Sequence, residues 1–98
     1  MKRPLYTQNP SKEEAEIYGI KALQFIAEDS NLLNSFINST GFIPSDLQDR
    51  IDHPLTIAAL FDFLLSEEEV LKKFLHIHNI DIKFFIKCRQ YFPGFSGW

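Results

Sequence analysis

The stretch Pro54–Leu65, PLTIAALFDFLL, decides the fold, because its apolar side chains surround a helix instead of forming one stripe. Only Thr56 and Asp62 in it are polar. A helix that is apolar all round is buried either in a protein core or in a membrane. Twelve residues rise only about 18 Å, whereas a bilayer needs roughly 20 residues. The stretch therefore predicts the central, buried helix of a soluble domain.

The length and composition predict one ordinary globular domain. The chain has 98 residues, 45% of them hydrophobic and 23% charged, which is enough to bury a core without metal or disulfide. A net charge of −3 opposes a dedicated nucleic-acid binder, which usually has a basic excess. The single cysteine, Cys88, excludes an intramolecular disulfide framework. With no apolar run after the basic start, we expect no signal peptide, no membrane contact and a cytoplasmic location.

Capping residues mark several helix ends. Three segments have the Ser-x-x-Glu/Gln spacing of a capping box, which satisfies free N–H groups at a helix start; they begin at Ser11, Ser45 and Ser66. Gly41 and Asn79 each follow an apolar stripe of helical spacing. Both residue types tolerate the left-handed conformation that ends many helices. The pattern therefore predicts helices that begin and end at these residues.

The last helix and the two ends of the chain complete the predicted architecture. Asp81 predicts the cap of a helix that runs to about Phe92 and is stopped by Pro93-Gly94. We expect a loose N-terminal arm over 1–10 and an aromatic tail over 93–98. No stretch has the sustained period-two alternation of a strand. The sequence thus predicts an all-α domain, 11–92, of about six helices.

Apolar positions in the two halves correspond at an offset of 38 residues. The break after the first long helix and the two helix-ending residues, Gly41 and Asn79, correspond as well. This predicts two tandem three-helix copies, about 11–51 and 52–92. Because an open solenoid needs about three repeats, we expect the copies to pack on each other. The offset pairs Asp62 with Gln24, which predicts a polar edge rather than a buried carboxylate.

Three sequence features resemble the bacterial family known as domain of unknown function 3572. They are A-L-x-F-I-A-E-D, L-x-x-F-I-x-x-T-G-F-x-P-x-D-L and D-F-L-L-x-x-E-x-x-L, which together lie within 13–81. The resemblance implies a small helical protein and carries no activity or functional residues with it. The Phe-rich segment after Lys83 departs from the Ala-rich C-terminus expected of that family.

Neither catalysis nor metal binding is indicated. His76 and His78 are two residues apart, so they point in different directions on a helix, and a zinc site needs three or four ligands. The chain has no nucleophile elbow, phosphate loop or H-E-x-x-H motif. A reactive Cys88 would require a nearby base. We therefore predict a protein that is not an enzyme and binds no metal or cofactor.

Basic residues near the C-terminus leave weak nucleic-acid binding open. Lys83 and Lys87 share a helix face, Arg89 is near, and aromatic residues lie between them. Charge combined with stacking is how single strands are bound without sequence preference. Three cations are few for this function, so it is kept as an alternative.

The aromatic C-terminus is the most informative functional feature. The last helix has two apolar faces, one of them formed by Phe84, Cys88 and Tyr91. If only one face meets the core, the other needs a partner, since exposed aromatic residues commonly anchor interfaces. This predicts an interaction module that binds itself or another protein through five aromatic residues: Phe84, Tyr91, Phe92, Phe95 and Trp98. Two alternatives stay open: the tail completes a monomeric core, or a small apolar ligand lies between the copies.

Overall fold

The described residues form helices joined by turns and loops. The computed structural model describes residues 9–94, except the side chains of Pro44, Asp46 and Gln48. Five helices have eight or more residues, the helix α3 has six, and no strand occurs in the described range. The all-α prediction is confirmed. The helices are α1 Lys12–Ala27, α2 Ser30–Thr40, α3 Pro44–Asp49, α4 Pro54–Ser66, α5 Glu68–His78 and α6 Ile82–Arg89.

Local sequence determines most of the helix ends. The Ser11 hydroxyl accepts from the Glu14 backbone N–H at 3.1 Å, and the Glu14 carboxylate accepts from the Ser11 N–H at 2.9 Å. This is the predicted capping box. Gly41 and Asn79, with φ of 80° and 52°, are the left-handed C-caps of α2 and α5. Asp81 caps α6 by accepting from the Phe84 N–H.

The predicted capping box at Ser66 is wrong. Ser66 is the last residue of α4, and its hydroxyl donates to the Phe63 carbonyl at 2.7 Å. Glu67 is the N-cap of α5 and makes no side-chain capping bond. A serine at a helix junction can bond to either helix, because its short hydroxyl reaches nearby backbone groups on both sides. The helix α3 also begins at Pro44, one residue before the predicted cap Ser45.

The helix α4 forms the centre of the core, as its sequence predicts. It packs against α1, α2, α5 and α6. Gly19 of α1 lies against α4 so closely that an added Cβ would be 2.6 Å from Ile57 Cγ2. The absence of a side chain at Gly19 therefore lets the two helices approach. The buried residues of α4 are Thr56, Ile57, Ala58, Leu60, Phe61, Phe63 and Leu64.

Aromatic contacts join the helices around α4. The Phe61 ring centroid lies 4.8 Å from that of Phe85 on α6, and Phe85 lies 5.6 Å from Phe74 on α5. Phe74 in turn contacts Phe25 of α1 edge-to-face at 5.4 Å. Such geometries add about 0.5–1.5 kcal/mol per pair beyond the burial of area. The ten phenylalanines of the chain are thus explained in large part by the core.

Candidate functional site

The helix α6 lies against two helices, which corrects the predicted exposed face. Phe84 contacts Tyr18 of α1 with ring centroids 5.4 Å apart, and Phe92 stacks on Phe61 of α4 at 5.8 Å. Phe84 and Phe92 are only 1% and 4% exposed. Because Phe84 packs on α1 and Phe92 on α4, these two predicted partner-binding side chains belong to the core. Sequence periodicity does not show that a short terminal helix packs between two neighbours.

Tyr91 is the predicted partner-binding residue that the structure places at the surface, with 45% of the residue exposed. Its hydroxyl donates to the Pro10 carbonyl at 2.8 Å, and the Lys87 ammonium donates to the Asn9 amide oxygen at 2.7 Å. These residues and Gln90 line an open recess of about 480 Å³. We call Asn9, Pro10, Lys87, Gln90 and Tyr91 the terminal surface. Phe95 and Trp98, also predicted to bind a partner, lie outside the described residues.

Arg89, predicted as a surface cation, is buried and ion-paired. It is 2% exposed, and its Nε and Nη2 donate to the two carboxylate oxygens of Asp62 at 2.7 and 3.1 Å. Its Nη1 donates to the Phe92 carbonyl at 2.8 Å. A planar guanidinium is suited to this two-point contact. Arg89 is therefore a structural clamp between α4 and the turn after α6, whereas Lys83 and Lys87 remain exposed.

One signal for this clamp is present in the sequence, and it identifies Asp62 but not its partner. Asp62 was predicted at a polar edge, and its side chain is indeed 45% exposed. Its partner lies 27 residues away on another helix, so no local spacing connects the two. One usable signal existed: Asp62 is the only charged residue within the apolar stretch 54–65, and a carboxylate there requires a partner or water.

Titratable groups near the contact of α1, α5 and α6 are perturbed by burial. Burial, followed by the negative charge of Glu14, raises the pKa of the Cys88 thiol to about 12. The thiol is therefore protonated near neutral pH and a poor nucleophile. Burial raises the pKa of Tyr18. The pKa of His78 is lowered by burial and, to a smaller extent, by the positive charge of Lys21.

The histidines and carboxylates of the described residues form no cluster suited to a metal ion. Among the described side chains, no three His, Cys, Asp or Glu residues come together as metal ligands. His76 is exposed, whereas His78 packs against Phe74 with ring centroids 4.4 Å apart. None of the described helices combines the length and the apolar character needed to cross a bilayer.

The fold and its surfaces define a class: a small all-helical protein with a phenylalanine-rich core and a clamped last helix. The family model described as "Protein of unknown function (DUF3572)" matches residues 12–95. The chain belongs to this family, as its sequence features indicated. No curated protein matches the chain, and no solved structure does.

Proposed function

We propose that the chain is a non-catalytic protein-interaction module that binds itself or another protein through the terminal surface and through Phe95 and Trp98, which follow it in the sequence. The exposure of Tyr91 beside an open recess carries this proposal. Tyrosine and tryptophan are frequent anchors of interfaces, because they combine a large apolar area with a polar atom. Phe84 and Phe92, being buried, have no direct part in it.

The surroundings of Tyr91 support the proposal, because they hold the aromatic ring in place. Its hydroxyl is bound to Pro10. The next residue, Phe92, is fixed by its stacking on Phe61 and by the bond from Arg89 to its carbonyl. A surface that is ordered before binding loses less conformational entropy when the partner arrives. The clamp between Asp62 and Arg89 thus positions the proposed anchor without contacting the partner itself.

We also propose that the module consists of two fused copies of a three-helix unit, offset by 38 residues. Four observations support this. The helices α2 and α5 have eleven residues each, and their bounds differ by that offset. Both end at a left-handed residue. The starts of α3 and α6 differ by the same offset. Corresponding apolar positions are both fully buried in three pairs: Ala22 with Leu60, Ile26 with Leu64, and Phe36 with Phe74.

Site-specific photocrosslinking of the full-length protein tests the interaction proposal. A benzophenone amino acid replaces Tyr91 in one chain and Leu55, which is 58% exposed and outside the terminal surface, in the control chain. We expect a covalent adduct, to itself or to one defined protein, from position 91 and not from position 55. The substitution Phe95→Ala with Trp98→Ala should weaken that adduct.

A defined pair of results would contradict the interaction proposal. A protein that stays monomeric in light scattering over a concentration range of about a hundredfold, with no adduct at position 91, would contradict the proposal. Point substitutions are preferable to a chain that ends at Gln90. Such a chain would lack Phe92, which is 4% exposed and part of the core, and would confound binding with folding.

A further inference from the structure

One side of α1 is buried in the core, and the opposite side is open to solvent. Successive residues of a helix turn by about 100°, which places four exposed residues opposite the buried side. Two of them are isoleucines, Ile17 and Ile20, which are 50% and 37% exposed. With 16 residues, α1 is the longest helix of the described chain. We call this surface the α1 face; it consists of Glu13, Ile17, Ile20 and Gln24.

The α1 face has the spacing at which one helix packs along another. Its residues follow one another at steps of four, three and four, from Glu13 to Gln24. Alternating steps of three and four keep side chains directed at a second helix. The isoleucines lie in the middle of the face, and a polar residue lies at each end. The surface therefore fits a helix that also has an apolar middle and polar ends.

We propose that the α1 face binds the α1 face of a second copy of the chain, with the two helices antiparallel. A twofold axis between Ile17 and Ile20 brings Ile17 of each chain against Ile20 of the other, so that the apolar middles cover each other. The same rotation places Glu13 of each chain opposite Gln24 of the other. The amide N–H groups of Gln24 can donate to that carboxylate. All four positions of the face thus find a complementary residue in a second copy.

The charges decide between the two orientations of such a pair. In the antiparallel arrangement Glu14 and Lys21, which lie along the same edge of the face, come near each other across the dimer twice. A parallel pair would gain a similar contact at its edges, between Glu16 and Lys21. It would, however, place Glu13 of one chain against Glu13 of the other within the contact itself, where like charges repel. The antiparallel pair avoids this repulsion.

The expected dimer is weak, because its apolar middle has only two isoleucines from each chain. Interfaces well below about 1,200 Å² in total area belong to transient complexes. Dimer formation should therefore depend on protein concentration. No residue of the α1 face belongs to the terminal surface, so the two surfaces can be tested separately.

Light scattering of the full-length protein from about 1 µM to about 1 mM tests the proposal. We expect a dimer at the upper end of this range. Ile17→Glu should weaken it at least about tenfold. Leu55→Glu, at a position that is 58% exposed and outside the α1 face, is the matched control and should leave it unchanged. Gln24→Lys should tighten the dimer about threefold or more, because the new cation lies opposite Glu13.

Disulfide trapping tests the orientation. Glu13→Cys chains mixed with Gln24→Cys chains should form a covalent dimer under mild oxidation, because the two positions are opposite each other in an antiparallel pair. Neither variant alone should do so. Eleven residues separate equal positions along the helix axis by about 17 Å, and a disulfide cannot join Cα atoms more than about 7 Å apart. Cys88 is buried and should not take part.

Three outcomes would overturn the inference. A wild-type chain that stays monomeric up to the highest concentration rules out the dimer. A dimer that Gln24→Lys weakens and that Glu13→Cys alone traps is parallel. A dimer that responds to Phe95→Ala with Trp98→Ala, but not to Ile17→Glu, assigns assembly to the C-terminal residues, which supports the proposed function while rejecting the α1 face. Circular dichroism of each variant shows whether it is folded.

Discussion

The helices α2 and α5 are alike inside the protein and unlike at its surface. Each has eleven residues, and each places a phenylalanine with 0% exposure at its seventh position, Phe36 and Phe74. Each ends at a residue with positive φ. The sequence of α2, SNLLNSFINST, has no charged residue, whereas that of α5, EEVLKKFLHIH, has four, in addition to two histidines.

This comparison shows that packing constrains the inner faces of α2 and α5 but not the charge of their outer faces. Both helices share a buried phenylalanine and a left-handed end, and their apolar faces pack on the core, which is where helices gain most of their stability. The outer face is then free to change. In α5 it carries Lys72, which lies 3.2 Å from Glu69 and 3.5 Å from Glu68, but such exposed pairs contribute little to stability.

The largest expected effect on stability comes from removing the buried phenylalanines of α2 and α5. Phe36→Ala and Phe74→Ala should each lower the free energy of unfolding by about 3–5 kcal/mol, since each leaves a cavity in a closed core. Chemical denaturation measures both. The exposed Ile43→Ala (52% exposed) is the control and should change stability by less than about 0.5 kcal/mol. A loss below about 1 kcal/mol at either phenylalanine would break the comparison.

The two C-caps offer a smaller test. Gly41 has a φ of 80° with no heavy atom within 4 Å of an added Cβ, and Asn79 has a φ of 52°. Alanine at Gly41 should cost about 1–2 kcal/mol, because the left-handed conformation brings the added Cβ near a carbonyl oxygen. Alanine at Asn79, where a Cβ is already present, should cost less. Thermal unfolding measures the loss. Asn79→Gly, as the matched control, should keep the native stability within about 0.5 kcal/mol; a large loss there would mean that the asparagine side chain itself holds the turn.

The N-caps of α2 and α5 should contribute differently to stability. Asp29 Oδ1 accepts from the Asn31 and Leu32 N–H groups at 2.9 and 3.3 Å, and the equivalent Glu67 makes no such bond. Asp29→Ala should therefore cost about 1 kcal/mol, whereas Glu67→Ala should change stability by less than about 0.5 kcal/mol. Equal losses in denaturant titrations would show that the cap of α2 is no stronger than that of α5.

The smallest effect concerns pH. His78 is at the last position of α5, where α2 has Thr40. Because burial lowers the pKa of His78 in the folded chain, the unfolded chain binds its proton more readily, with a pKa near 6.5. Stability should thus fall as pH decreases through about 6.5. His78→Gln should flatten this dependence in denaturation midpoints from pH 5 to pH 8; an unchanged slope would assign it to other groups.

Sequence alone predicted the features that depend on a few neighbouring residues. The capping box at Ser11 and the left-handed ends at Gly41 and Asn79 were correct, because residue type and spacing within one turn determine them. The box at Ser66 failed, since its hydroxyl had two possible partners within reach. The prediction of surface residues was less accurate. Phe84, Phe92 and Arg89 were predicted to be exposed, but they contact α1 and α4. Those helices are distant in the sequence, so the periodicity of one helix does not reveal the contacts.

The clamp at Arg89 has a consequence for the motions of the native protein. A terminal helix of eight residues would ordinarily fray, and its amide hydrogens would exchange with solvent long before those of the core. To detach α6, however, the protein must withdraw a guanidinium from Asp62 and the Phe92 carbonyl together. The amides of α6 should therefore exchange at rates close to those of α4, so that the central and last helices open as one cooperative unit.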